Sequence, residues 1–267
     1  MTLPPDFSEA IERARPRLGS LASSISFFPT IGSTNDVASS LAAGGGHEGA
    51  VVIAETQTAG RGRRGRRWFS PPGSGLYVSL VLAPGRARSA PERATALVTL
   101  AAGVALAEAI DTVTGLRPEI KWPNDLIVGR RKVAGILAEG VAGLARPIAS
   151  IVVGYGINVG AAGIAPELGD RATSLEREAG HPVNRAQLCA ETLAAFATRY
   201  EDLLAGRFDA ILDSWRDRAP RSRDALVTWE TPTGRQSGIT AGIDDHGALL
   251  VRAGDRVERI LGEVSWE

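Results

Sequence analysis

Between Gly60 and Trp68 the chain reads GRGRRGRRW, five arginines interspersed with glycines. Its first six residues satisfy the pattern G-x-G-x-x-G. Three chemistries are therefore open: cradling a dinucleotide, gripping a nucleic acid, or closing over a small anion. A dinucleotide site needs a strand before the glycines and a helix opening directly after them, so that helix N-terminal amides meet the pyrophosphate. The strand is present in GAVVIAETQTAG. The helix is absent: WFSPPGSGLYVSLVL holds two prolines and two glycines before a β run. No G-x-x-x-x-G-K-[ST] phosphate loop occurs either. Lys+Arg and Asp+Glu both number 30, whereas a nucleic-acid-binding domain carries a strong positive excess. The arginines are a local feature of a neutral chain, which favours a small anionic ligand over a polyanion.

A solvated basic hairpin tip would have the same composition. Yet a glycine-spaced, self-repelling loop is costly to order. It suits a segment that is disordered when empty and ordered by an anion, with guanidinium groups on phosphate and carboxylate oxygens. Spacing alone leaves these two readings level.

Other motifs separate them. GSTN (Gly32–Asn35) places two hydroxyls and an amide at a strand-to-helix turn, where Ser33 or Thr34 is a natural N-cap and small polar groups suit a neutral polar headgroup. KWPND (Lys121–Asp125) combines a cation, a rigid turn, an amide and a carboxylate. RRKVAGIL brings Lys132 just ahead of an apolar strand containing Gly135, where backbone can approach a ligand closely. GYGINVG ends a strand with Asn158 among glycines. Of 30 basic residues only Lys121 and Lys132 are lysines. Both fall in this motif-rich stretch, which points to a use for a compact ammonium that a planar guanidinium would not fill. Chance placement in an arginine-rich chain gives the same count.

The elements that must carry these groups follow from period and punctuation. DFSEAIERAR predicts a short helix ended at Pro16. SISFFPTIGSTNDVASSLAAGGG predicts a strand, a turn at Gly32 and a helix stopped by glycines. GAVVIAETQTAG is a buried strand feeding the arginine loop, and GLYVSLVLAP is a second strand. PERATALVTLAAGVALAEAIDTVTG, with Pro91 at its start and Gly115 at its end, predicts a long, mostly buried helix. Three strand-like runs follow, PEIKWPNDLIV, RKVAGILAEGV and PIASIVVGYGINV, the first two flanking GRR as a hairpin. NRAQLCAETLAAFATRYEDLLAG and FDAILDSWRDRA are two helices. The last stretch, punctuated by TPTG, DDHG and AGD, has the pattern of a small closed barrel. The whole is a mixed α/β domain with clustered strands, followed by a small all-β module.

Composition, 44% hydrophobic and 22% charged, is that of a soluble globular chain. Lone Cys189 excludes an internal disulfide and sits in an apolar-periodic run, a packing position. The first residues lack the apolar core of a signal peptide, and no uninterrupted apolar run approaches the ~20 residues of a membrane span. A cytoplasmic, reducing location is the expectation. The three histidines, His47, His181 and His246, are scattered and suggest no histidine-based metal site.

Taken in order, GSTN, AETQTAGRGRRGRRW, KWPND, RKVAGIL and GYGINVG resemble the motifs of biotin protein ligases, from about Ser24 to Val159. The resemblance implies an α+β fold of the class II aminoacyl-tRNA-synthetase-like type with a mixed sheet, over residues 1–220, and an SH3-like barrel over 221–267. The two dozen residues before the first strand are too few for a helix-turn-helix, so the short form that does not bind DNA is expected. The implied activity is biotin–[acetyl-CoA-carboxylase] ligation: biotin and ATP form biotinyl-5′-AMP, and the biotinyl group passes to one lysine of a biotin carboxyl carrier domain. Neither DNA nor membrane is an implied partner; a homodimer joined through a sheet edge is a common arrangement in the family.

The resemblance also assigns residues. Arg61 and Arg63 in the lid, Lys132 at the carboxylate–phosphate junction and Lys121 are the implied catalytic groups. Ser33, Thr34, Asn35, Gln57 and Gly135 surround biotin, together with Arg61, Gly62, Arg63 and Lys132. Arg63, Arg66, Trp68, Lys121, Asn124, Lys132 and Asn158 serve ATP, and Mg²⁺ rides on its phosphates with Asn124 as the protein contact. Cations at these places fit the chemistry, because a carboxylate must approach an α-phosphate and their charges oppose each other. Trp68 and Trp122 are read either as walls of the slot or as core packing, and Asp125 as a general base or a salt-bridge partner. Three other functions are weighed: a lipoate or octanoate ligase of the same fold, a nucleic-acid-binding regulator, and a non-catalytic biotin sensor.

Overall fold

The computed structural model describes residues 2–45, 47–142, 150–232 and 234–267. A seven-stranded mixed sheet organises the first part, from β1 (Ser24–Phe28), β2 (Ala50–Ala54), β3 (Gly75–Leu82), β4 (Glu119–Lys121), β5 (Asp125–Val128), β6 (Arg131–Val141) and β7 (Ser150–Asn158). Its order is β1-β2-β3-β7-β6-β5-β4. Only β1 and β2 run parallel, because the helix α2 (Thr34–Ala43) carries the chain back between them. The remaining pairs are antiparallel.

The two faces of this sheet do different work. Alternate residues of β3, Leu76, Val78, Leu80 and Leu82, belong to the main core with α1 (Pro5–Ala14), α3 (Pro91–Thr114), α5 (Arg185–Ala205) and α6 (Phe208–Arg218). Across the sheet, Val52, Val81 and Val152 pack against Ala38 and Ala42 of α2 in a smaller cluster. The rest of that second face is left for a site.

The long helix starts at Pro91 and stops at Gly115, whose φ of 70° lets its N–H reach the Asp111 carbonyl at 2.8 Å. Helix α3 is long and apolar enough to cross a membrane by length and composition. That qualifies the expectation that no segment approaches a span; the Glu and Asp residues that break the run do not lower its overall apolarity enough. Here its apolar sides are used up inside the protein, and Leu97, Val104, Ala105, Leu106 and Ile110 are fully buried. Asn184 caps α5 by accepting from the Gln187 N–H at 2.9 Å. Cys189 is fully buried on α5, and burial pushes its thiol up to about 12, as expected of a packing residue.

PEIKWPNDLIV is two short strands, β4 and β5, because Pro123 cannot donate to a ladder; the Trp122–Pro123 peptide in the turn is cis. The β5–β6 hairpin forms around Gly129–Arg131 as predicted. Pro147–Ala149, at the head of the third run, lie outside the described residues. After a short helix α4 (Leu175–Ala179) and helices α5 and α6, a second sheet forms. It comprises β8 (Arg223–Thr231), β9 (Gly234–Ile243), β10 (Leu249–Ala253), β11 (Arg256–Ile260) and β12 (Ser265–Trp266), antiparallel in the order β11-β10-β9-β8-β12. Its Asp244–Gly247 turn docks on α3 and the β4–β5 turn: Gly247 accepts from Trp122 Nε1 at 3.0 Å and Asp245 from Arg93 Nε at 2.8 Å. Trp122 is thus packed into the core, and it also borders the site cavity.

Candidate functional site

A cavity of about 970 Å³ opens on the free face, between α2, the arginine loop, β4–β7 and the strands β8, β11 and β12. Every residue nominated from sequence as a catalytic, biotin or ATP group lines it. They come from different elements, and each is held there for a separate reason.

Ser33 sits at the N-cap of α2 with extended backbone, but its side chain makes no capping bond. Gln57 caps instead. Its Oε1 accepts from the Thr34 N–H at 2.8 Å, and its Nε2 donates to Ser70 Oγ at 2.9 Å. Ser79, fully buried on β3, lies 2.6 Å from Asn35 Oδ1 and 2.8 Å from Thr34 Oγ1. A hydroxyl has one proton, and Asn35 Oδ1 can only accept, so Ser79 donates to Asn35. Thr34 Oγ1 then donates to Ser79 Oγ or to Gln57 Oε1, 3.1 Å away, and keeps a lone pair for an incoming N–H. Ser33, Thr34 and Asn35 are at most 4% exposed. The cradle is a polar network whose groups are satisfied by one another.

Glycines make room for it. Gly135 on β6 and Gly156 on β7 are register partners, and Gly154 lies two residues along β7. A Cβ on Gly154 would meet Asn35 Oδ1 at 1.9 Å, and one on Gly156 would meet Trp68 Nε1 at 2.2 Å. On Gly135 it would meet the Trp68 ring at 2.9 Å. Trp68 therefore lies over two bare strands, its Nε1 buried with no hydrogen-bond partner among the described residues. That reading of Trp68 as a wall of the slot matches its placement.

Lys132 Nζ pairs with Asp125 Oδ1 at 2.6 Å and stands 5.2 Å from the Trp68 ring centre, a cation–π arrangement. Asp125 faces Lys121 across the β4–β5 turn. Burial depresses the Lys121 ammonium below its usual range, Arg221 and Lys132 add to this, and Asp125 opposes it. An ammonium held at such a cost is stabilised by any anion that enters. Asn124 Oδ1 accepts from Arg63 at 3.2 Å, while its Nδ2 donates to the Ile136 carbonyl at 2.8 Å. Asn158 is buried and donates to the Thr173 carbonyl at 3.1 Å.

The arginine loop is a small hairpin closed by a bridge between Arg61 and Arg67. Gly62 N–H reaches the Arg66 carbonyl at 2.7 Å, and Arg64 and Gly65 take left-handed conformations at the tip. Its five arginines are not equivalent. Arg61 donates to Asp36 at 2.5 Å and to Glu139, and these raise its pKa: the Asp36 hydrogen bond comes first, and partial burial opposes. Its charge is matched by protein carboxylates. Arg67 donates to the Thr58 carbonyl at 2.6 Å. Arg63, Arg64 and Arg66 converge on one carboxylate, Glu263, at 3.9, 3.5 and 3.6 Å. These long, half-solvated pairings leave the hairpin tip with surplus positive charge toward the cavity.

Participants that were not singled out from the sequence include Asp36, Ser70, Ser79, Glu139, Gly154, Gly156 and Glu263. Ser79 had a signal, as the one small polar residue in the strand GLYVSLVL. Glu263 had none, since it lies some two hundred residues from the arginines it meets.

The family model for the biotin/lipoate A/B protein ligases matches residues 27–158. The bifunctional ligase/repressor BirA of Bacillus subtilis is 36% identical over 236 residues, covering 88% of this chain and 71% of that protein. The biotin–[acetyl-CoA-carboxylase] ligase of Paracoccus denitrificans is 37% identical over 208 residues, covering 76% and 84%. Among solved structures, the Aquifex aeolicus biotin protein ligase in complex with biotin and ATP superposes with a TM-score of 0.78 at 25% identity, covering 92% of this chain and 99% of that one. With the hydroxyl–amide cradle, the arginine hairpin and the two lysines around one cavity, and relatives matched over most of their length, the chain belongs to the biotin protein ligase family.

Proposed function

We infer that this chain is an ATP-dependent biotin–[acetyl-CoA-carboxylase] ligase, which forms biotinyl-5′-AMP and transfers the biotinyl group to a lysine of a biotin carboxyl carrier domain. One observation carries the reading: a neutral polar cradle and a strongly cationic region, Lys132 among its groups, line a single cavity. A ureido headgroup offers two N–H donors and one carbonyl acceptor to Ser33, Thr34, Asn35 and Gln57. Leaving one such bond unmade in a buried slot would cost about 1–3 kcal/mol.

In the first step a carboxylate oxygen of biotin attacks the α-phosphorus of ATP and pyrophosphate leaves. Lys132, an ammonium on the cavity wall, is the group assigned to lower the repulsion between the two anions. Lys121 and the tip arginines, Arg63 with Arg66, hold the phosphates, and Gly62 gives the hairpin its approach. Asn124, Asn158 and Trp68 complete the nucleotide side. Mg²⁺ neutralises phosphate charge. Among the described residues no cluster of three His, Cys, Asp or Glu gathers to hold a metal, so this donor set suits an ion carried on the phosphates, with Asn124 and Asp125 as the protein oxygens. In the second step a carrier amine attacks the acyl carbon and AMP leaves. Arginines closed over the mixed anhydride keep water from it until then.

Purified protein with biotin should catalyse pyrophosphate exchange into ATP and label a carrier domain. Exchange with lipoate or octanoate but not biotin would overturn the reading.

A further inference from the structure

Glu139 lies on β6 outside the cavity lining, yet it joins the two halves of the site. One carboxylate oxygen, Oε2, accepts from Asn35 Nδ2 at 2.8 Å; the other, Oε1, accepts from Arg61. Asn35 is the buried cradle amide, fixed on its other side by Ser79. Arg61 is at the base of the arginine hairpin, bridged to Arg67, and Asp36, the neighbour of Asn35, holds the same guanidinium. With two carboxylates on it, Arg61 has no unmatched charge to offer a phosphate. Its position ties the hairpin to the first turn of α2. A carboxylate is the one side chain with two acceptor oxygens, so Glu139 takes the amide on one and the guanidinium on the other.

We propose that Glu139 is a positioning residue that couples the headgroup cradle to the arginine hairpin, so that retention of the acyl-adenylate depends on a side chain that touches neither substrate. The proposal rests on the ligase reading above. A headgroup that sets Asn35 also sets Arg61, and with it the base from which Arg63 and Arg66 project.

Glu139→Gln tests it with little change of shape. The amide accepts from Asn35 or from Arg61 and turns an N–H toward the other, so the bridge breaks. Pre-formed biotinyl-adenylate should leave the variant about tenfold faster, and the KM for biotin should rise by a similar factor. The KM for ATP, the single-turnover rate of adenylate formation at saturating biotin and the unfolding midpoint should stay close to wild type. Because Arg61→Ala removes the Asp36 pairing as well as the Glu139 one, Glu139→Gln added to Arg61→Ala should release no faster than Arg61→Ala alone. Wild-type release from Glu139→Gln, or additive effects in the double variant, would overturn the proposal. So would an equal loss in every parameter, which marks a merely structural residue. A wild-type chain that forms no adenylate from biotin and ATP would instead sink the ligase reading, and this proposal with it.

Discussion

The headgroup cradle and the tip of the arginine hairpin face one cavity but are held by different kinds of bond. In the cradle, Thr34, Asn35, Ser79 and Gln57 are linked at 2.6–3.1 Å, and Thr34, Asn35 and Ser79 are buried. At the tip, three guanidinium groups share Glu263 at 3.5–3.9 Å, with the side chains of Arg64 and Arg66 63% and 77% exposed. Exposed pairs of this length are worth little, about 0–1 kcal/mol. The cradle is preorganised, and its binding energy is not spent on ordering groups. The tip is only loosely committed, and an anion can recruit it.

Four changes would break or sharpen this contrast. The largest belongs to the junction. Lys132→Met should cut biotin-dependent pyrophosphate exchange by about 10²–10³, the scale of losing one well-placed charge at a developing anion; activity within a few-fold of wild type would remove Lys132 from the chemistry. Next comes the cradle. Gly154→Ala drives a methyl group into Asn35 Oδ1, and overpacking of about 1–3 kcal/mol predicts roughly a ten- to hundredfold rise in biotin KM. ATP binding measured alone should hardly change.

A third effect is pH-dependent. Burial, aided by Arg221 and Lys132, lowers Lys121 from its ordinary value of 10.5. Between the lowered and ordinary values the unfolded chain binds the proton and the folded chain does not, so this group's contribution to stability rises with pH there. Phosphates restore the proton. ATP affinity should therefore fall as pH climbs through that window, with proton uptake visible by calorimetry in buffers of different ionisation enthalpy. Lys121→Arg should flatten the profile, because a guanidinium stays charged. Smallest is the tip: Glu263→Gln frees the arginines and should tighten ATP binding only two- to fivefold, an advantage that added salt erases. A large effect would show that the tip is held as firmly as the cradle.

Much of the site was legible because its chemistry is contiguous in the chain. GSTN, the arginine loop, KWPND and RKVAGIL each carry their groups within a few residues, and the core helices α3 and α5 that back the sheet begin and end at Pro91, Gly115, Asn184 and Gly206 for reasons any backbone obeys. What escaped arises only from juxtaposition. Glu139 reads as an ordinary strand carboxylate until Asn35 and Arg61, 104 and 78 residues away, are brought to its two oxygens. Gly154 reads as one of several strand glycines until Asn35 is seen to need its missing methyl group. Likewise the N-cap position of Ser33 was readable, but not that Gln57 would supply the capping oxygen.

The placement of Lys121 and Lys132, both on the cavity wall, has a practical consequence. They are the protein's only side-chain amines, so a reagent such as an activated ester that labels primary amines has no lysine on the outer surface to consume it. Mass shifts at these two positions would then read out how well bound nucleotide shields the interior, making the protein its own occupancy gauge.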